Sequence, residues 1–272
     1  VTTENDDVLE TGGAGQDSPR APGAETSPED TPAGPDADTG AGPRRRRGGV
    51  AAVVGVLGEL LITVGLVLAL FVVYSLWWTN VVANREAARK SEKVREHWAQ
   101  EAEEAPGRSW DPRDGVGFLH LPALGKGYEV LIVKGTGTEE LNKGVAGYYT
   151  EPVRAAMPWA KRGNFSLAAH RDGHGAKFHK LDKLDKGDVV VVETKDTWYV
   201  YRVFNTLPET SKYNVGALEP IPKGSGKKRA GRYITLTTCT PVYTSRHRLI
   251  VWGEMVRTQK VDDKRTLPAE LR

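Results

Sequence analysis

Cysteine is almost missing from this chain of 272 residues: Cys239 stands alone. A lone cysteine excludes an internal disulfide, so the folded part is held by packing rather than by covalent cross-links. No run of carboxylates has calcium-loop spacing, so no required metal is expected, and no cofactor either. Internal repeats are missing too, and no nucleic-acid recognition motif accompanies the slight excess of basic residues. Large hydrophobic residues are scarce at the N-terminus, where residues 1–43 contain only Val1, Val8 and Leu9. The same stretch carries ten Asp/Glu against one Arg, among many Gly, Pro, Ala and Thr. It cannot bury enough apolar surface to offset the entropy of ordering it, and is expected to be a disordered acidic tail.

Charge is what the next segment lacks. Arg44, Arg45, Arg46 and Arg47 form a basic block, and residues 60–78 then run for 19 positions without a single charge. That length crosses a hydrocarbon core of about 30 Å. Trp77 and Trp78 close it, as an interfacial aromatic belt would. A cleaved secretory signal is the competing reading, but its apolar region is shorter, about 7–15 residues, and ends at small residues. Residues 44–82 are therefore read as a basic block and an uncleaved single-pass anchor. The arginine block favours a cytoplasmic N-terminus and an extracellular C-terminal part, although Arg85, Arg89, Lys90, Lys93 and Arg95 follow on the far side. Glycine and proline are missing from residues 84–105, which are charged all round. Residues 83–110 are read as a solvated helical stalk or linker.

From about residue 111 the pattern changes to short β-branched and aromatic runs between Gly, Pro, Asn and Asp. Strands are predicted at 116–122, 128–133, 165–169, 188–194, 197–204, 232–239 and 247–256. Brief helical turns are predicted at 138–142 and 177–184. Residues 205–231 carry little strand signal and read as a long loop. Residues 111–272 are thus a mainly β domain, closed or sandwich-like, with short helices.

Within it, Cys239 ends a strand in Thr235-Leu236-Thr237-Thr238-Cys239-Thr240-Pro241. A strand end fixes the backbone and leaves the side chain at a rim that substrate can reach. From position alone a packed, inert cysteine stands level with a nucleophile. A thiol nucleophile needs an acid/base partner and a group for the developing oxyanion. His170 follows the apolar run Phe165-Ser166-Leu167-Ala168-Ala169, again at a strand end. Arg248 opens the strand after Cys239 and leads into Leu249-Ile250-Val251; Arg246 competes for the same role. His174 and His179 read as loop residues.

Taken together, Thr-Leu-Thr-Thr-Cys239, Ala-His170-Arg and Arg248-Leu-Ile-Val resemble the sortases. Their signature is a TLxTC strand, an upstream (G/A)-His and a downstream Arg. Leu119-His-Leu-Pro, Leu141-Asn-Lys-Gly-Val and Lys183-Leu-Asp-Lys-Gly-Asp match family landmarks in order, so the resemblance covers about residues 116–256. The anchor ending in Leu-Trp-Trp-Thr-Asn and the stretch Cys239-Thr-Pro-Val-Tyr-Thr are most similar to the actinobacterial class E group.

The resemblance implies a closed β-barrel of about eight strands. It also implies a membrane-anchored cysteine transpeptidase that cuts a C-terminal sorting signal of LAxTG or LPxTG type between Thr and Gly. Its partners would be surface proteins bearing such signals and a peptidoglycan precursor amine. Cys239 would be the nucleophile, His170 the acid/base and Arg248 the oxyanion or substrate-backbone group. Tyr148 falls where class E members carry a tyrosine linked to LAxTG preference, and Thr238 is a candidate helper at the substrate backbone. Ala169 replaces the common Gly, and residues 151–162 replace a short Pro-Gly turn. Leu207-Pro-Glu-Thr-Ser resembles a sorting signal by chance, since it lacks the Gly and a hydrophobic tail. A hydrolytic cysteine protease using water, and an anchored envelope-binding β-domain with an inert cysteine, remain the alternatives.

Overall fold

The computed structural model describes residues 48–104 and 115–272. The acidic tail, the arginine block and the end of the expected linker lie outside these residues. By contacts the chain divides into two units, residues 1–54 and 55–272, and the second holds the whole β domain. Helix α1, Gly48–Glu104, contains the uncharged run and the charged stretch after it. Val64, Leu66, Leu70 and Phe71 are all exposed.

Eight strands come after it: β1 Gly117–His120, β2 Glu129–Lys134, β3 Ala146–Tyr148, β4 Gly163–Ala168, β5 Val189–Glu193, β6 Thr197–Ser211, β7 Arg232–Thr240 and β8 His247–Lys260. They close into a barrel in the order β1-β2-β3-β4-β7-β8-β6-β5, with β5 returning to pair with β1. Closure removes every free sheet edge. The short helix α2, Thr138–Leu141, sits between β2 and β3. Side chains alternate along each strand, so Leu119, Ile132, Phe165, Val192, Ile234 and Val251 fill the interior. The outer face of β7 is covered as well. The 3-10 turn Val215–Leu218 lies over it, with the Ala217 carbonyl accepting from Trp252 Nε1 at 3.1 Å.

The expected closed barrel is what the chain forms, but three local readings differ. Residues 205–211 are not loop: β6 runs on to Ser211, pairing Leu207 with Ile250 and Ser211 with His247. Pro208 sits at a register shift of that ladder, where a missing N–H is tolerated. The strand signal failed because pairing with β8, not local propensity, holds this segment extended. The Leu207-Pro-Glu-Thr-Ser stretch is therefore a part of the barrel wall. Strand β3, only three residues long, carried no signal of its own.

The third difference is the charged half of α1, which is not solvated all round. Ala83, Ala87, Val94 and Trp98 form one buried stripe on it. Val94 and Trp98 pack with Phe118, Leu131 and Val145 on the barrel's outer surface, and the Trp98 and Phe118 rings meet edge-on at 5.5 Å. Glu193, 1 % exposed, anchors this contact: Arg95 reaches it at 3.2 Å, Arg265 at 2.6 Å and His120 at 2.9 Å. Burial by itself would raise the Glu193 carboxyl. The His120 hydrogen bond and the Arg95 and Arg265 partners overcome that and hold it at about 2.

Candidate active site

Cys239 is the penultimate residue of β7 and is half-buried. Antiparallel pairing places it directly opposite Arg248 at the start of β8. On its other side β7 runs parallel to β4, with Ala168 opposite Thr237. His170 lies two residues past Ala168, as Cys239 lies two past Thr237, so the chain carries both to the same rim of the barrel. The local sequence explains why they stop there. β7 meets Pro241, which has no N–H to continue a ladder. Beyond β4, the His170 segment turns sharply, with Phe178 N–H donating to the His170 carbonyl at 2.9 Å.

Two further contacts lock the His170 and Cys239 segments together. Thr238 Oγ1 donates to the Ala169 carbonyl at 2.8 Å. Arg171 Nη1 donates to the Cys239 carbonyl at 3.3 Å and to Thr240 Oγ1 at 3.1 Å. Arg171 is buried, and Asp182 at 3.1 Å balances its charge. The Arg248 guanidinium is steadied by the carbonyls of Ser245 and His247, at 3.2 and 3.0 Å. Arg246 precedes β8 and is exposed.

His170 Nε2 lies 2.8 Å from Asn142 Oδ1, and its ring is 5.4 Å from that of His174. Burial pushes its pKa below the ordinary imidazole value, His174 pushes it further down, and Asp172 partly offsets both. Neutral imidazole is thus favoured at neutral pH. His179 is bonded to the Arg171 carbonyl at 2.8 Å, within the loop.

The two residues expected to bind substrate take different positions. Tyr148 is 8 % exposed and belongs to the core cluster, near Phe165. Thr238 is buried, and its hydroxyl is directed at Ala169 rather than at the rim. The residue after Tyr148, Tyr149, is partly buried against the core. Its hydroxyl lies 2.9 Å from Thr237 Oγ1. Burial raises its pKa, the Thr237 hydrogen bond and the Arg248 charge lower it, and the Cys239 charge raises it again. Sequence reasoning named Tyr148 alone and gave no role to Asn142 or Arg171. The only signal for Arg171 was its place beside His170.

His120, Glu129 and Glu193 bring metal-type ligand atoms within 4.8 Å of one another. Arg95 and Arg265 already hold those carboxylates, so a cation there would face two guanidinium groups.

The profile of the Sortase domain family matches residues 119–256. The chain is 63 % identical over 243 residues to Sortase SrtE2 of Streptomyces coelicolor, covering 87 % of this chain and 95 % of that protein. The crystal structure of sortase E1 from Streptomyces coelicolor, with a tripeptide in its active site, matches with a TM-score of 0.56. That match has 45 % identity and covers 60 % of this chain and all of the other. Sortase E from Streptomyces avermitilis matches over the same share of this chain at 38 % identity and a TM-score of 0.51, again over its whole length. A single half-buried cysteine at the rim of an eight-stranded barrel, facing an arginine and held to a histidine segment, agrees with these matches: the chain belongs to the sortase family of cysteine transpeptidases, in its class E branch.

Proposed function

We propose that this chain is a membrane-anchored transpeptidase in which Cys239 is the nucleophile, His170 the acid/base and Arg248 the oxyanion group. The observation that carries this reading is the pairing of Cys239 with Arg248 at a rim shared with His170. The substrate is a protein with a C-terminal sorting signal of LAxTG or LPxTG type, as the family resemblance implies. His170 takes the Cys239 proton, and the sulfur attacks the Thr carbonyl carbon. The oxyanion forms beside Arg248, whose charge is worth most where water is excluded. As the Thr–Gly bond breaks, His170 gives its proton to the departing Gly amine and a thioester remains. Neutral His170 then deprotonates an incoming amine of a cell-wall precursor. Its nitrogen attacks the thioester and Cys239 leaves as thiolate. A resting histidine held neutral by burial suits both steps.

Tyr149 lines the substrate groove beside Cys239, whereas Tyr148 shapes it from the core side and Thr238 supports it through Ala169. Residues 60–78 of α1 cross the membrane with the barrel outside. The support is a helix long and apolar enough to span, none of whose most apolar stretch is buried in protein.

The test uses the full chain in detergent with an LAxTG-type peptide and a glycine-based amine. Ligated product is expected, and it should vanish in Cys239→Ala and His170→Ala. Arg248→Ala should lower kcat on the order of 10²–10³-fold, the usual cost of one oxyanion donor. Ligation by Cys239→Ala would end the proposal. Hydrolysis without ligation would replace it with a protease.

A further inference from the structure

We infer that helix α1 is itself a positioning element of the active site, through a clasp made by Asn80 and Asn84. The inference rests on His170 being the acid/base, and it goes beyond anchoring.

The loop after His170 is an unusual piece of backbone. Gly173, His174, Gly175 and Ala176 have φ of 63°, 46°, 81° and 41°, four successive residues in the left-handed region. For His174 and Ala176 that region is unfavourable, and such strain persists only where neighbours over-determine it. The neighbours are on α1. Gly175 N–H donates to Asn80 Oδ1 at 2.7 Å, and Lys177 Nζ donates to Asn84 Oδ1 at 2.9 Å. The loop's far end is tied to the barrel, with the Tyr128 hydroxyl donating to the Lys177 carbonyl at 2.5 Å.

The second partner of His170 is held by the same turn of helix. Gly144 stands two residues beyond Asn142, whose Oδ1 meets His170 Nε2. A Cβ added to Gly144 would lie 2.9 Å from the Ala83 carbonyl oxygen, so its backbone rests directly on α1. A Cβ on Gly175 would lie 3.0 Å from Asn84 Oδ1 and 3.3 Å from Gly144 Cα. The helix, the Asn142 segment and the His174 loop interlock where no side chain fits. Both neighbours of the imidazole, Asn142 on one side and His174 on the other, take their position from residues 80–84 of α1.

An anchor acting only as a tether would need none of these contacts. The clasp makes the orientation and hydration of His170 depend on α1 being docked. Asn80 and Asn84 act through the loop, as positioning residues.

The test uses the full chain in detergent, with an LAxTG-type peptide and triglycine. Asn80→Ala/Asn84→Ala removes both acceptors, whereas Asn80→Asp/Asn84→Asp keeps an acceptor oxygen at each position. The alanine pair should lose on the order of tenfold in kcat with KM little changed, as expected when a catalytic group is misplaced rather than removed. Its His170, followed by NMR titration, should rise towards the ordinary imidazole value as the loosened loop admits water. The aspartate pair should keep kcat and titration close to wild type. Wild-type kcat and titration in the alanine pair, or an equal loss in the aspartate pair, would overturn the inference. If the alanine pair unfolds, Asn84→Ala alone, at an exposed position, should show a smaller loss of the same kind; wild-type kcat there is equally fatal. His170→Ala separates the two claims. An inactive His170→Ala beside an unaffected alanine pair removes the clasp only, while an active one removes the acid/base assignment and the clasp with it.

Discussion

Within α1, the residues without charge and the residues crowded with it behave oppositely. Val64, Leu66, Leu70 and Phe71 lie in the uncharged run and all are exposed. Beyond Asn80, where Arg, Lys and Glu dominate, Ala83, Ala87, Val94 and Trp98 are buried against the barrel. A soluble helix would do the reverse. Burial follows the partner: Ala87, Val94 and Trp98 meet Phe118, Leu131 and Val145, while none of the most apolar stretch of the run is buried among the described residues. That run takes lipid as its solvent in the proposed function, and the charged half is a structural part of the catalytic domain.

The difference can be broken most severely at Trp98. Trp98→Ala deletes a ring packed on Phe118 and covered by Arg265 at 4.9 Å. It should destabilise the domain by about 3–5 kcal/mol in denaturant unfolding of the full chain. An unchanged midpoint would mean that the helix does not dock. Acid acts next. The Glu193 pKa is depressed by its folded partners, so its contribution is present above the unfolded value near 4.5 and is lost as pH falls towards about 2. Through that window about 3 kcal/mol of stability should disappear. Glu193→Gln should flatten the acid side of the stability–pH curve; an equally steep curve would mean that other carboxylates set it. Lys90, half-exposed and paired with Glu86 at 3.3 Å one turn away on the same helix, should matter little: Lys90→Ala should cost at most about 0.5 kcal/mol. At the bottom of the scale, Leu68→Ala in the apolar half should leave the unfolding midpoint of the domain unmoved, since Leu68 is 58 % exposed to begin with. A loss there comparable to that of Trp98 would erase the distinction between the halves.

Much of the barrel was legible because its strands announce themselves locally. Val189–Glu193 and Arg232–Thr240 are β-branched runs between turn residues, so each shows its strand character without its partners. Ala146–Tyr148 and the continuation of β6 through Ser211 were not legible. The first is too short to show a period, and the second is extended only because β8 lies beside it. The stripe of Ala83, Ala87, Val94 and Trp98 was visible in principle at helical spacing, but the charges between them dominate the composition.

The site divides along the same line. Sequence alone determined that one thiol exists, that it ends a strand, and that a histidine and an arginine stand at comparable places, because those are properties of neighbouring residues. Only the tertiary structure decided which groups meet. It set Cys239 opposite Arg248, aimed Thr238 at Ala169, sent the Tyr149 hydroxyl to Thr237 and packed Tyr148 into the core. It also brought Asn142 and the loop resting on Asn80 and Asn84 around His170. Those neighbours lie from a few to nearly a hundred positions apart in the chain, and barrel closure and helix docking, which no local pattern encodes, bring them together.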